Sequence, residues 1–163
     1  TYSATVDASG HWTATVPSAD LAGLKDGDAS VQVSVTNVNG NSASAGREYS
    51  VDATAPTVSI EIVSDNNIIN AAEAQQDLVV SGVSTAEAGQ TVTVTLNGVD
   101  YTTTVQANGS WSVTVPSADI GAITDGSYTI TAAVADKAGN PALADRDVLV
   151  DTTVPQLTIN TVS

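Results

Sequence analysis

Apolar and polar residues alternate along several short stretches of the chain, a period-two pattern that is typical of half-buried β-strands. In the clearest stretch, residues 90–96, Val92, Val94 and Leu96 are predicted to face a core and the threonines between them to face outward. Other stretches alternate in a similar way, and turn-forming residues separate them. The pattern predicts seven strands, at 57–63, 77–84, 90–96, 101–105, 110–115, 128–135 and 144–150.

The connections between these strands carry their own signals. Asn-Gly pairs at 97–98 and 108–109 each predict a type I′ hairpin turn, which needs two residues with positive φ. The longer connections at 64–76 and 116–124 each have room for one helical turn. In the first strand, one face is predicted to hold Val58, Ile60 and Ile62.

The chain repeats itself without gaps at an offset of 99 residues. The matched pairs include Tyr2 and Tyr101, Trp12 and Trp111, Pro17 and Pro116, and Asp52 and Asp151. A period near 100 residues is the size of one immunoglobulin-like sandwich. We therefore expect tandem all-β, Greek-key sandwiches of about seven strands each. Residues 54–152 form a complete repeat, 1–53 the C-terminal part of a preceding one, and 153–163 the first strand of a following one.

The segment from Val51 to Pro56 returns from Val150 to Pro155. In both copies a strand ends in an aspartate, small residues follow, and a proline opens the next strand. Proline lacks a backbone donor and suits the first residue of an edge strand. We interpret this segment as the joint between consecutive repeats.

Composition narrows the possible partners. Four basic residues against eighteen acidic ones give a net charge of −14, which repels nucleic acid and anionic membranes and attracts cations. The absence of cysteine excludes disulfides and thiolate chemistry. No apolar run is long enough to span a membrane, and no signal peptide is evident, so we expect an export signal elsewhere on a longer parent chain. The regular alternation argues against disorder.

Several motifs in a fixed order resemble a known family. They are the joint, the strand Asn108-Gly-x-Trp-x-Val-x-Val-Pro116, the turns at 125–126 and 136–140, and the segment 65–73. Together they resemble the bacterial Ig-like repeats of giant type I-secreted surface adhesins, the Bap-like biofilm-associated proteins, over the whole chain. The resemblance implies an Ig-like sandwich in a long extracellular stalk, stiffened by calcium where repeats meet. It also draws attention to Asp65, Asn67 and Glu73 within the 65–73 segment.

The residues of this sequence offer little support for an enzymatic function. The single histidine, His11, lies at a turn, so no Ser-His-Asp set can be assembled. Asp119 and Asp125 bracket one loop, but a glycosidase pair needs a cleft with aromatic platforms, which two Trp and four Tyr do not provide. Trp111 shares its face with two core-type valines, which favours a core position over sugar stacking. We therefore expect no enzyme.

Calcium is the best-supported ligand, because hard cations take oxygen ligands from carboxylates, amides and carbonyls. In a seven-strand sandwich the first strand begins at one end, here called the leading end, and the last strand finishes at the other, the trailing end. Stacking would place trailing-end acids of one repeat against leading-end acids of the next, where they repel unless a cation intervenes. The candidate ligands at this seam are Asp20, Asp26, Asp28 and Asp52 on one side, and Glu87, Asp136 and Asn140 on the other. Those at the trailing end of the complete repeat are Asp65, Asn67, Glu73, Asp119, Asp125 and Asp151.

The alternative is that these acids are ordinary solvated turn residues, since Asp and Asn favour turns for backbone reasons. The leading functional hypothesis is a spacer repeat of a bacterial surface adhesin, which supports adhesion or biofilm formation and has neighbouring repeats as its partners. The second is a carbohydrate- or protein-binding module of a secreted protein, which an exposed aromatic or apolar patch would favour.

Overall fold

A computed structural model describes residues 1–160. Contacts within the chain divide it into two compact units, one of residues 1–54 and one that begins at Ala55. Strands dominate both units, which confirms the all-β prediction. The predicted first strand of a following repeat, 153–163, lies partly outside the described residues, and its described part, 153–160, forms no strand.

The first unit is a short helix and one long hairpin. Helix α1 spans Ser18–Leu21, and strands β1 (Gly27–Thr36) and β2 (Ser42–Val51) pair antiparallel along their whole length. Residues 1–17 form no strand. The apolar side chains of this unit are exposed or only partly buried, so it has no closed core.

The second unit is a sandwich of a five-stranded and a three-stranded sheet. Its strands are β3 (Val58–Ile60), β4 (Ile68–Asn70), β5 (Leu78–Ser84), β6 (Thr91–Leu96), β7 (Val99–Thr104), β8 (Ser110–Val115), β9 (Gly126–Ala135) and β10 (Pro141–Asp151). Its helical turns are α2 (Ser64–Asn67), a 3₁₀ turn (Glu73–Gln75) and α3 (Ser117–Ile120). The larger sheet has the order β4-β10-β9-β6-β7 and the smaller one β3-β5-β8. Every pairing is antiparallel except that of β4 with β10.

The core lies between the two sheets and is built mainly from valine and isoleucine. Trp111 on β8 is its largest member and is 1% exposed, so its predicted core position is confirmed. The indole lies over Gly82 on β5, the residue directly opposite it in the register. A Cβ at position 82 would stand 1.8 Å from the carbonyl oxygen of Ser59 and 2.5 Å from an indole carbon. Only glycine therefore fits beneath this tryptophan.

Arg146 connects the two sheets. Its guanidinium on β10 donates through Nε and Nη2 to the backbone carbonyl of Ile60 on β3, at 2.9 and 2.6 Å. Arg146 thus places a charge-assisted hydrogen bond between the last strand of one sheet and the first strand of the other. Arg47 on β2 is its counterpart at the 99-residue offset.

The structure corrects the sequence prediction at three places. Ile62 is 62% exposed rather than on the core face, and Val63, 1% exposed, enters the core instead, because β3 ends at Ile60 and the alternation stops there. An eighth strand, β4, forms in the loop predicted at 64–76. The Asn108-Gly109 turn is not type I′, since only Gly109 has positive φ, whereas Asn97 and Gly98 both do.

Both joints are held by the same aspartate contact. The Asp125 carboxylate accepts hydrogen bonds from Thr152 N, Thr152 Oγ1 and Thr153 Oγ1, at 2.9, 2.7 and 2.6 Å. These bonds lower its pKa to about 2, the Thr153 hydroxyl contributing most. At the offset of 99, Asp26 accepts from Ala53 N at 2.8 Å and from the Thr54 hydroxyl. Asp26, just before β1, therefore holds the residues that follow β2. Asp125, just before β9, holds the residues that follow β10 in the same way.

Gly82→Ala should destabilise the sandwich, because the new methyl group meets the Ser59 backbone and the Trp111 ring at once. Overpacking typically costs about 1–3 kcal/mol, and the backbone contact places this variant at or above the upper limit. Urea unfolding followed by tryptophan fluorescence measures the change. Val83→Thr, at the other outward-facing neighbour, which is 50% exposed, is the control and should change the unfolding free energy by less than about 0.5 kcal/mol. Equal values for both variants would contradict this account of Gly82.

The Asp125 contact should weaken in acid. Because its folded pKa is lowered to about 2 from 3.8, the contact contributes stability above pH 3.8 that is lost as the pH falls through about 2. The Thr152 amide resonance should therefore titrate near pH 2, and Asp125→Asn should abolish that titration and speed amide exchange at residues 152–153. Asp147→Asn, which neutralises the acceptor of Thr129 Oγ1 on the sheet face, should leave residues 152–153 unchanged. An inflection near pH 4 would contradict the contact.

Candidate metal site at the repeat ends

The trailing end of the complete repeat collects the last strand and three loops. Parallel pairing of β4 with β10 sets Asn70 opposite Asp151. Helix α3, which carries Asp119, packs against the 3₁₀ turn that begins at Glu73. Asp125 reaches the residues that follow β10. The structure therefore brings Glu73, Asp119, Asp125 and Asp151 to one end of the sandwich, as the seven-strand topology predicts.

Loop 64–76 is shaped by its own polar side chains. Ser64, Asp65 and Asn67 all have positive φ, between 47° and 60°, which non-glycine residues seldom adopt. Asn67 Oδ1 accepts the Val63 amide at 3.0 Å, which compensates part of this strain. Glu73 Oε2 accepts the Asn70 amide at 3.0 Å, while Asn70 Oδ1 accepts the Glu73 amide at 3.1 Å. This reciprocal pair has the form of a capping box at the 3₁₀ turn.

Asp119 holds a tyrosine. It accepts the Tyr101 hydroxyl at 2.9 Å, and burial together with this bond to a carboxylate raises the pKa of Tyr101 to about 12. The contact recurs in the first unit, where Tyr2 donates to Asp20 at 2.5 Å. There the bond to Asp20 is the main cause of a raised Tyr2 pKa. Asp119 therefore fixes the loop after β8 to β7, and Asp20 makes the equivalent contact with Tyr2, which lies outside the strands of the first unit.

The leading end of the complete repeat carries the second predicted group. Glu87 Oε2 accepts the Lys137 amide at 3.1 Å, which ties its loop to the β9–β10 turn. Within that turn, Asp136 accepts Asn140 N at 2.8 Å and Asn140 Nδ2 at 2.9 Å. The side-chain bond from Asn140 is the main reason that the pKa of Asp136 is lowered. The structure thus brings Glu87, Asp136 and Asn140 together.

In the first unit, two of the four predicted acids meet at the joint. Asp26 bonds to Ala53 and Thr54, and Asp52 Oδ1 accepts the Thr54 amide at 3.3 Å. Asp28 lies on β1 opposite Ser50, near the same end of the hairpin.

The donor set is chemically suited to a hard cation, since every candidate offers carboxylate or amide oxygen. Within residues 1–160, no group of three or more acidic or histidine side chains is close enough to hold a metal ion. What sequence reasoning missed are the hydroxyl partners, namely the threonines of the joint and the tyrosines facing Asp20 and Asp119. Part of their signal was present, because Tyr101 and Thr153 match Tyr2 and Thr54 at the offset of 99, whereas Thr152 matches an alanine.

None of the helices within residues 1–160 is long and apolar enough to cross a membrane. Comparison with sequence families identifies residues 54–152 as a Bacterial Ig-like domain. No curated protein matches the chain.

Solved structures of bacterial adhesins are similar to this chain. A Ca²⁺-stabilized adhesin that helps an Antarctic bacterium reach out and bind ice is 35% identical, with a TM-score of 0.55, over 94% of this chain and 38% of that chain. A structure from a 1.5-MDa bacterial ice-binding adhesin, which bears on host cell surface retention, is 30% identical with a TM-score of 0.52. The match covers 93% of this chain and 53% of that chain. A tetra-tandem repeat in the extending region of a large adhesion protein is 30% identical with a TM-score of 0.51, over 91% and 37%.

The chain spans less than two thirds of each of these solved chains. The matched span of 99 residues equals the internal offset, and the sandwich fold agrees with that of adhesin repeats. The resemblance seen in the sequence is therefore confirmed, and the chain belongs to the bacterial Ig-like domain family, with adhesin repeats among its structural neighbours.

Proposed function

We propose that this chain is a spacer segment of a bacterial cell-surface adhesin, a structural part that holds a binding region away from the cell and so supports adhesion or biofilm formation. The observation that carries the proposal is the joint, in which an aspartate accepts a backbone amide and a threonine hydroxyl at two places 99 residues apart. Asp26 and Asp125 each bond to the residues that follow a last strand. Such pinning suits a stalk, because it shortens the freely rotating part of each connection.

The domain organisation follows from the same repeat. We propose that residues 54–152 form a complete Ig-like repeat, that 1–53 are the C-terminal part of one before it, and that 153–163 begin another. Neighbouring repeats of the same chain are then its principal partners. The role is mechanical rather than catalytic, and its setting is extracellular, at the bacterial surface, where such adhesins act.

We further propose that calcium stiffens the seam between repeats. At each end of the complete repeat, carboxylate and amide oxygens are gathered on short loops, which suits a cation with six to eight oxygen ligands. Two sets of trailing-end ligands are proposed. In residues 1–53 the set is Asp52 with Asp20, Asp26 and Asp28. In residues 54–152 it is Asp151 with Asp65, Asn67, Glu73, Asp119 and Asp125. The leading-end ligands proposed are Glu87, Asp136 and Asn140.

The proposed calcium ligands differ in how far their side chains are already held in place by hydrogen bonds. Asp125 and Asp136 already accept several hydrogen bonds, and both have lowered pKa values, so they remain ionised through the neutral range. An ionised carboxylate that is held in place by neighbours loses little further entropy on binding a cation. The structural neighbour that is a Ca²⁺-stabilized adhesin supports calcium as the ion.

Calcium should stabilise a tandem protein with two copies of residues 54–152 more than one copy alone. Extracellular modules bind calcium with Kd of about 10⁻⁴–10⁻³ M, so a ten- to hundredfold excess adds about 1.4–2.7 kcal/mol per site by mass action. Calorimetric titration measures the number of sites, and chelation should lower the melting temperature while the β-sheet signal persists.

Two matched variants test whether the acid that closes the last strand binds the calcium ion at the seam. Asp151→Ala in the first copy, the counterpart of Asp52, should remove the seam site. Asp100→Ala, which removes the acceptor of Thr95 Oγ1 on a sheet face, should leave calcium binding unchanged. If the Asp151 variant binds as many calcium ions with the same affinity, the acids that close the last strands are ordinary turn residues.

A further inference from the structure

The loop between α3 and β9 carries Asp125, the acid that holds the joint of the complete repeat. On the α3 side, the loop is anchored by Ile123, which is 9% exposed, whereas Thr124 and Asp125 are exposed. On the β9 side, Gly126 has a φ of 155°, a conformation that glycine adopts more readily than other residues. A glycine beside the acid leaves the direction of the carboxylate free to change unless another contact fixes the backbone.

Tyr128 on β9 supplies such a contact. Its hydroxyl donates to the carbonyl oxygen of Thr124 at 2.9 Å and lies 3.1 Å from Thr124 Oγ1. The ring lies beside Gly126, since a Cβ at that position would stand 3.8 Å from Cε2 of Tyr128. The tyrosine therefore spans the glycine and holds the loop on its far side.

The held carbonyl is directly linked to Asp125. The carbonyl group of Thr124 and the amide nitrogen of Asp125 belong to one planar peptide group. A hydrogen bond that fixes this carbonyl therefore also fixes the plane from which the Cα of Asp125 projects. From there, the carboxylate reaches the Thr152 amide at 2.9 Å and the Thr153 hydroxyl at 2.6 Å. A series of contacts thus runs from β9, through the loop, to the residues that follow β10.

The first unit has a different residue at the position of this tyrosine. At the offset of 99, Ala29 is the counterpart of Tyr128. In the strand register, Ala29 lies opposite Tyr49, whereas Tyr128 lies opposite Val148. Each cross-strand pair therefore contains one tyrosine, but on opposite strands. The hydroxyl contact to the loop follows from the place of Tyr128 on the strand that comes directly after the joint aspartate.

We propose that Tyr128 is a positioning residue for the joint, which acts through Asp125 and sets how firmly the residues after β10 are held. A repeat with alanine at this position lacks the restraint, so a single residue adjusts the stiffness of each joint. The proposal deepens the spacer function and rests on it for the use of a stiff joint, whereas the contact itself is a property of one repeat.

Hydrogen exchange in the full 163-residue chain, with a chelator present, tests the proposal through the Thr152 amide. Tyr128→Phe keeps the ring and removes the hydroxyl, so this amide should exchange about fivefold faster, the factor that one hydrogen bond of ordinary net strength represents. Thr129→Val is the matched control, because it removes a hydroxyl that the neighbouring residue of β9 donates to Asp147. It should leave exchange at Thr152 unchanged.

A double-mutant cycle separates positioning from general stability. Asp125→Ala removes the acceptor itself, so the Thr152 amide should exchange at an unprotected rate. Adding Tyr128→Phe to Asp125→Ala should not change this rate further, because the tyrosine acts through the missing carboxylate. Thermal unfolding of each variant verifies that the sandwich is formed.

Two results would overturn the proposal. The first is an unchanged rate at Thr152 in the folded Tyr128→Phe chain. The second is an equal acceleration by Tyr128→Phe with and without Asp125→Ala, or by Thr129→Val, which would make the hydroxyl a contributor to overall stability alone. Neither result bears on the spacer function, which is tested by the length of tandem proteins.

Discussion

The structure depends on the burial of one apolar sheet face against another. A single sheet with alternating side chains leaves half of them apolar and exposed, and only a second sheet removes them from water. In the complete repeat, the smaller sheet supplies this cover, and Trp111 fills the space that Gly82 leaves open. Where the cover is missing, as in residues 1–54, the same kinds of side chain stay exposed although their local hydrogen bonds persist. Local hydrogen bonds thus form in the first unit without a closed core, whereas the second unit has both sheets and buries its apolar side chains.

The sequence predicts the strands well because their alternation is regular, as in β6 and β8. It fails where alternation stops. Ile62 follows the pattern but lies beyond the end of β3, and the chain then turns through residues with positive φ. Strand β4 is too short to show a period and forms because β10 offers a free edge. Gly82 carries no signal of its own, since its role comes from a tryptophan 29 positions away.

For the candidate site, the sequence predicts which end of the sandwich each acid occupies but not its hydrogen-bond partners. Topology alone assigns each acid to an end of the sandwich, so the grouping of Glu87 with Asp136, and of Asp125 with the residues after β10, is expected. The partners of these acids depend on side-chain reach, which the sequence does not display. Asp119 holds a tyrosine and Asp125 holds threonines. In a chain with a net charge of −14, these two acids thus accept hydrogen bonds from neighbouring hydroxyl groups.

The central claim is that these repeats form an extended stalk, and small-angle X-ray scattering of proteins with one to four copies of residues 54–152 tests it most directly. A sandwich with strands of about seven residues, plus loops at both ends, is about 40 Å long. In saturating calcium the account predicts a maximum dimension that grows by about that length with each copy, and a smaller growth after chelation. A compact particle whose maximum dimension barely increases from two copies to four in saturating calcium would contradict it.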